Sequence, residues 1–214
     1  VLPLMMDLGP FEKLPGPEAA RVRFKINPDV PLMLFLSRIH PKKGLHVLMD
    51  ALALQTGAAN ESQLIIAGTS APADKEYDTQ LRQQIERLGL RDRVYFAGMV
   101  TGTDKISLYQ AADMFVLPTF QENVGLVLLE AMAAGTPVLT TRGTDIWQEI
   151  QQAGGTISDN TPAALCESLK VLLADRAALK QSGERARQWV LEQFNEDKLT
   201  AEYEAMYSQV IEGA

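Results

Sequence analysis

The chain has 214 residues, 46% of them apolar, with 20 basic and 27 acidic residues and a net charge of −7. That length holds one large domain, or one and a fraction, with a sizeable core, and the acidic balance argues against a nucleic-acid or anionic-membrane partner held by bulk charge, so any anion site must be built locally. The lone Cys166 and the two histidines exclude an intrachain disulfide and leave no metal cluster, no run approaches the ~18 apolar residues of a membrane span, and Val1-Leu2-Pro3-Leu4-Met5-Met6 lacks the basic start and cleavage site of a signal peptide.

Residues 1–30 hold Pro3, Pro10, Pro15, Pro17 and Pro28 without clear periodicity and are expected to be a linker. Residues 32–37 form a short apolar run, expected as a buried strand. The loop Arg38-Ile39-His40-Pro41-Lys42-Lys43-Gly44 follows, then a helix over residues 45–55 whose apolar face is Leu45, Leu48, Met49 and Leu52. Cations bunched in a strand-to-helix loop are either a solvated basic surface or an anion site. Arg offers a planar fork for phosphate, Lys a mobile point charge, and Gly44 room for close backbone approach. Residues 63–68 predict a second strand, 75–88 a helix closed by Gly89, and 93–98 a third strand. Glycine at the end of that strand suits close backbone approach with or without a ligand. A helix is expected over 106–112.

Residues 114–117 read as a buried strand that Pro118 stops, because proline cannot donate to a ladder. A polar loop over 119–123 leads into a helix expected over 124–134, apolar nearly all round and therefore buried. Gly135 is placed to cap it in the left-handed conformation, and Pro137 prevents continuation. A strand follows from Val138. Two carboxylates stand out in this stretch, Glu122 in the loop and Glu130 inside the helix. A carboxylate in an apolar helix is costly unless paired. Glu130 is either a satisfied structural acid or an acceptor for ligand hydroxyls, ribose hydroxyls being the usual partners beside a nucleotide. Glu122 is either an ordinary exposed loop acid or a second ligand contact. A short strand over 154–157 and helices from Thr161, over 177–193 and over 195–211 complete the chain. In the last helix Leu199, Tyr203, Met206 and Tyr207 recur at helical spacing, as a packing stripe does. Strands alternate with helices through residue 157, which predicts an α/β, doubly wound parallel sheet with right-handed crossovers.

The stretch PTFQENVGLVLLEAMAAGTPV resembles the Glu-x7-Glu element of retaining glycosyltransferases of the GT-B fold, which have two Rossmann-like domains. More narrowly it is similar to the group 1, or family 4, enzymes: the sucrose-synthase-like and bacterial surface-polysaccharide transferases. Their usual form is E-G-F-G-L-x-x-x-E-A-M-A-x-G-x-P-V. Here Asn123 and Val124 replace the first Gly and the Phe, while Gly125 is kept. S-R-I-H-P-K-K-G resembles the family's G-R-L-x-x-x-K-G, which implies that Arg38 and Lys43 hold the donor diphosphate; Lys42 has no such counterpart, and His40 is assigned to loop packing. G-L-R-D-R-V-Y-F-A-G-M-V resembles G-L-x-x-R-V-x-F-x-G-x-V, which puts Met99 and Val100 at the nucleotide base. Lys105 matches, more loosely, a cation near the donor. Thr141-Arg142-Gly143-Thr144-Asp145 departs from the family's two glycines and acid, and takes no assignment.

The resemblance implies a Rossmann-like domain over residues 31–214, the C-terminal half of a GT-B fold, of about six strands, the usual size of such sheets. Residues 1–30 would be the interdomain linker, Leu2-Pro3-Leu4-Met5-Met6-Asp7 fitting the family's I-P-N-G-V-D only at its ends, and the N-terminal acceptor domain would lie outside this chain. The substrate implied is a nucleoside-diphosphate sugar, with no metal and no other cofactor, and the acceptor a glycan or lipid-linked hydroxyl met through the other domain. Glu130 would hold the ribose and Glu122 the donor sugar. Asn123, Val124, Gly125 and Leu126 would present backbone to the donor at the helix start. Arg38, Lys43 and Glu122 would carry catalysis. A cytoplasmic protein is expected, with at most peripheral contact at the inner membrane face. A nucleotide-sugar epimerase or phosphorylase of the same fold, and a non-catalytic nucleotide-sugar-binding module, remain open, since fold alone does not choose among them.

Overall fold

The runs LMLFL, QLIIA and MFVL are continuous apolar segments, and each is covered on both faces, as strands of a parallel sheet are. In the computed structural model, which describes residues 5–56 and 62–212, they are β1 (Leu32–Leu36), β2 (Gln63–Ala67) and β4 (Met114–Leu117). With β3 (Val94–Gly98), β5 (Val138–Thr141) and β6 (Thr156–Ser158) they form a six-stranded sheet in the order β3-β2-β1-β4-β5-β6, every pair parallel. Register is set by the apolar runs: Leu34 and Phe35 lie opposite Ile65 and Ile66 on one side, and Met33 opposite Met114 on the other.

Ten helices of the described residues connect and flank the strands: α1 (Gly9–Glu12), α2 (Glu18–Phe24), α3 (Leu45–Ala53), α4 (Lys75–Arg87), α5 (Gly102–Ala111), α6 (Leu126–Ala133), α7 (Trp147–Gln152), α8 (Pro162–Ala174), α9 (Arg176–Gln193) and α10 (Glu196–Glu212). α3 lies against α8, α6 against α9 and α2 against α5. The core is the sheet's side chains plus Leu45, Leu48, Met49, Leu52, Leu128, Leu129 and Met132. Full burial of each such side chain contributes about 1.5–3 kcal/mol. Among the described residues no helix is long and apolar enough to cross a membrane.

The doubly wound parallel sheet is the expected one, and several boundaries differ. Residues 5–30 are more than a bare linker: α1 and α2 bury Phe11 and Ala20 against the domain. The Gly16 N–H donates to Gln110 Oε1 at 2.7 Å, and the Ala20 N–H to Ser107 Oγ at 3.1 Å. Leu2, Pro3 and Leu4, half of the hinge-like match, lie outside the described residues. α5 extends back from the expected residues 106–112 to Gly102; Gly102-Thr103-Asp104 are poor helix formers that carry no apolar period, so the sequence pattern does not reveal this turn. α7 was not anticipated at all; it is six residues long and buries only Ile150. Of the stripe on α10, Leu199 is buried and Tyr203 half-buried, while Met206 and Tyr207 are exposed.

Candidate functional site

β1 and β4 are neighbours at the centre of the sheet, where the strand order reverses, and in such sheets ligands bind beyond the carboxyl ends of those two strands. The loop after β1 and the loop after β4 are stitched together there. The Lys42 carbonyl accepts from the Phe120 N–H at 2.8 Å and from Thr119 Oγ1 at 3.0 Å. Gly44 has φ +74, and a Cβ on it would sit 1.9 Å from the Pro118 carbonyl oxygen. The close approach expected at Gly44 is thus made by the β4 loop itself. Lys43 is buried on this seam and its ammonium pairs with the Glu122 carboxylate. Lys42, outside the expected set, donates to Gln121 Oε1 at 2.7 Å. His40 accepts the Lys42 N–H on Nδ1 at 3.0 Å and faces Asp74 at 3.7 Å, consistent with loop packing.

The second carboxylate has its own pair of partners. Lys105 Nζ lies 2.7 Å from Glu130 Oε1, and the Tyr109 hydroxyl 3.0 Å from Oε2. Tyr109 is fully buried; burial first, then the charge and hydrogen bond of Glu130, hold its phenol well above the usual range, so it stays a donor. Both lysine–glutamate pairs keep part of their side chains exposed, 11% and 22% for Lys43 and Glu122 and 24% and 19% for Lys105 and Glu130, so a ligand can reach either. Glu130, Lys105 and Leu126 line a hollow of about 620 Å³ whose other wall comes from the lead-in, including Met6 and Phe11.

Between the two carboxylates lies the start of α6. Its N-cap is Gly125, at φ +67, with no side-chain cap, and no acid occupies the first turn. Among the described residues the first-turn amides of Leu126 and Val127 have no acceptor, the open donors a helix start offers to an anion. The helix was expected from residue 124. Gly125 sits in the left-handed region and ends that possibility, so the free amides are shifted toward Leu126 and Val127. Val124 is half-buried and Asn123 exposed, its carbonyl accepting from the Asp145 N–H at 3.3 Å.

The remaining expected residues are spread along the same end of the sheet. Arg38, just past β1, is exposed, and its guanidinium has no protein partner among the described residues. Met99, just past β3, is 66% exposed, whereas Val100 is 5% exposed and belongs to the core, so it can offer only backbone. Arg38, Lys43, Glu122 and Met99 do not line the hollow that holds Glu130. Sequence reasoning passed over Gln121 and Tyr109. Tyr109 was findable: it stands four residues after Lys105, on the same helix face. Among the described residues no three His, Cys, Asp or Glu side chains gather as a metal site. A larger hollow, about 720 Å³, opens at the opposite end of the sheet beside Leu32, Asp113 and Pro137. Its Arg176 is tied to Asp113 at 2.7 Å and its Arg187 to backbone carbonyls, so these cations are occupied.

Residues 18–189 match the family model described as "Glycosyl transferases group 1". A D-inositol 3-phosphate glycosyltransferase of Streptomyces bingchenggensis is 29% identical over 214 residues, 97% of this chain and 47% of that protein. Its namesake in Salinispora tropica is 32% identical over 84% of this chain and 40% of its own length. The chain thus spans under half the length of these curated relatives. Among solved structures, the sucrose-phosphate synthase of Thermosynechococcus elongatus superposes over the whole chain and 53% of its own, with a TM-score of 0.84 at 26% identity. Anabaena HepE, solved in complex with UDP and glucose, superposes on 97% of this chain and 56% of its own with a TM-score of 0.84; at 23% identity that likeness is one of fold.

Proposed function

Because this chain belongs to the group 1 glycosyltransferases, we propose that it is the donor-binding half of a retaining enzyme that moves a sugar from a nucleoside diphosphate to an acceptor hydroxyl. One observation carries the reading. A buried lysine from the loop after β1 and a carboxylate from the loop after β4 meet at the point where the strand order reverses, beside an uncapped helix start. Breaking the anomeric bond leaves negative charge on the diphosphate. Lys43, the exposed Arg38 and the Leu126 and Val127 amides supply positive charge and donors for it, with no metal called on. Glu122 then accepts hydroxyls of the donor sugar and orients it, and Glu130, backed by Tyr109 and Lys105, accepts the ribose hydroxyls. The exposed Met99 flanks the base. The relatives are longer than this chain, which supports assigning the acceptor, a glycan or lipid-linked hydroxyl, to a second domain. We place the whole enzyme in the cytoplasm, with at most peripheral contact at the inner membrane face.

Calorimetry tests this. UDP, GDP or ADP is expected to bind with equal affinity in EDTA and in magnesium, and more weakly as salt rises, since the contacts are charge on charge. Lys43→Ala should weaken that nucleotide at least tenfold, a loss of about 1.4 kcal/mol. Binding that disappears in EDTA overturns the metal-free reading, and no binding of any of the three overturns the donor site.

A further inference from the structure

The segment Thr141-Arg142-Gly143-Thr144-Asp145, whose Asp145 N–H also bonds the Asn123 carbonyl, holds the backbone of Glu122 from both sides. The Glu122 N–H donates to the Gly143 carbonyl at 2.7 Å, and the Glu122 carbonyl accepts from the Asp145 N–H at 3.0 Å. Glu122 and Thr144 thereby form an isolated parallel bridge, an extra rung beyond the end of the sheet. Thr141, at the end of β5, donates its hydroxyl to the Thr119 carbonyl, and the Gly143 N–H donates to that hydroxyl oxygen at 3.3 Å. Thr141 and Thr144 are both buried. Gly143 lies flat against the β4 loop: a Cβ there would come within 2.1 Å of the Thr119 carbonyl oxygen and 2.8 Å of the Phe120 carbonyl carbon. Neither is a flexible tip that can swing away. Glycine is therefore required by contact, because only a residue without a side chain lets two backbones approach this closely.

We infer that the loop from Thr141 to Asp145 is a positioning element for Glu122, with Gly143 as its contact point. The β1 loop reaches Lys42–Phe120 and Lys43–Glu122, but among the described residues only the loop from Thr141 to Asp145 bonds the main chain of residue 122. A side chain at 143 pushes Thr119 and Phe120 away and takes the Glu122 backbone off its two bonds. A carboxylate must be held within about half an ångström of its productive place to orient a substrate. The inference rests on the assignment of Glu122 to the donor sugar and not to the diphosphate.

The test compares UDP, GDP and ADP with UDP-glucose, GDP-mannose and ADP-glucose on the wild-type chain, Gly143→Ala and Thr141→Val, each first checked for folding by circular dichroism. In Gly143→Ala the nucleotide sugar is expected to lose about tenfold in affinity, the scale of one hydrogen bond to a charged group, while the bare diphosphate changes less than about twofold. Adding Gly143→Ala to Glu122→Gln should cause no further loss, because both act through one carboxylate. A folded Gly143→Ala that binds the nucleotide sugar as wild type does overturns the inference. Should Gly143→Ala not fold, Thr141→Val is read in its place: a loss confined to the nucleotide sugar supports the inference, and wild-type binding overturns it. If the wild-type chain binds no nucleotide sugar more tightly than its diphosphate, the sugar assignment of Glu122 fails. The clamp is then read without ligand, from hydrogen exchange at the Glu122 amide. Exchange about tenfold faster in Thr141→Val, the opening of one hydrogen bond, supports the clamp, and unchanged exchange overturns it.

Discussion

Glu122 and Glu130 lie on one loop and one helix, but their surroundings differ. Glu122 has a lysine on its side chain and backbone bonds on both sides; Glu130 has a lysine on one oxygen and a buried phenol on the other. Glu130→Gln keeps the shape and removes the charge that Lys105 and a ribose hydroxyl both use. Affinity for the nucleoside diphosphate is expected to fall by about 1.5–3 kcal/mol, the range for hydrogen bonds to charged groups. Glu122→Gln should leave that affinity nearly intact and weaken only the full nucleotide sugar. Titration calorimetry of both variants decides it, with melting temperatures alongside, since a purely structural Glu130 lowers stability without a specific loss of ligand. A Glu122→Gln variant that loses more bare diphosphate than Glu130→Gln would reverse the two roles.

At the scale of elements, the β1–α3 turn does more than supply cations. Gly44 combines a left-handed backbone with direct contact against Pro118, whereas Gly89, at φ +68, has nothing within 4 Å of its missing Cβ. Gly89→Ala should therefore cost only the conformational strain, about 1–2 kcal/mol. Gly44→Ala adds a clash between two loops and should cost about 3 kcal/mol or more. Chemical denaturation of the pair separates the two terms; equal losses would mean that the Pro118 contact relaxes freely. α3 also carries a pH dependence. His46 stacks on Phe120 at 5.7 Å between ring centres and meets the Tyr77 hydroxyl at 3.1 Å. Burial pulls its imidazole below 6.5, against the opposing pull of Asp50. Neutral His46 is favoured in the folded state, so its contribution is fully present above pH 6.5 and is lost as pH falls through the lower folded value. The wild-type melting temperature should drop more steeply from pH 7 to pH 5 than that of His46→Gln, and parallel curves would assign the acid sensitivity to other groups.

For the whole molecule, the proposed donor contacts lie toward the carboxyl edge of the sheet, and none of them is assigned to an acceptor. The 214-residue chain is expected to bind a nucleotide sugar and to transfer nothing from it. Product analysis with UDP-glucose, GDP-mannose and ADP-glucose and a mixed panel of sugar and lipid acceptors should show no glycosidic product. Sustained turnover by a rigorously purified sample would place acceptor recognition within these residues.

The sequence by itself determined the parallel sheet, the chain order of its strands, and the presence of a basic loop after β1 and of two glutamates after β4. Those depend on local pattern: apolar runs of strand length, helical spacing, and Gly and Pro at turns act within a few residues of where they stand. Lys43, Glu122 and Gly125 were legible through the resemblance to the family's motifs rather than through local pattern alone. Only the tertiary structure decided which lysine meets which glutamate, since Lys43 and Glu122 are 79 residues apart in the chain. It likewise showed that Gly125 delays α6 to Leu126, that Val100 turns into the core, and that Phe11 and Ala20 of the lead-in pack against the domain. The clamp from Thr141 to Asp145 was invisible because its bonds to Glu122 are backbone to backbone. A main-chain N–H or carbonyl is the same in every residue but proline, so sequence records such a contact only where, as at Gly143, the approach is too close for a side chain.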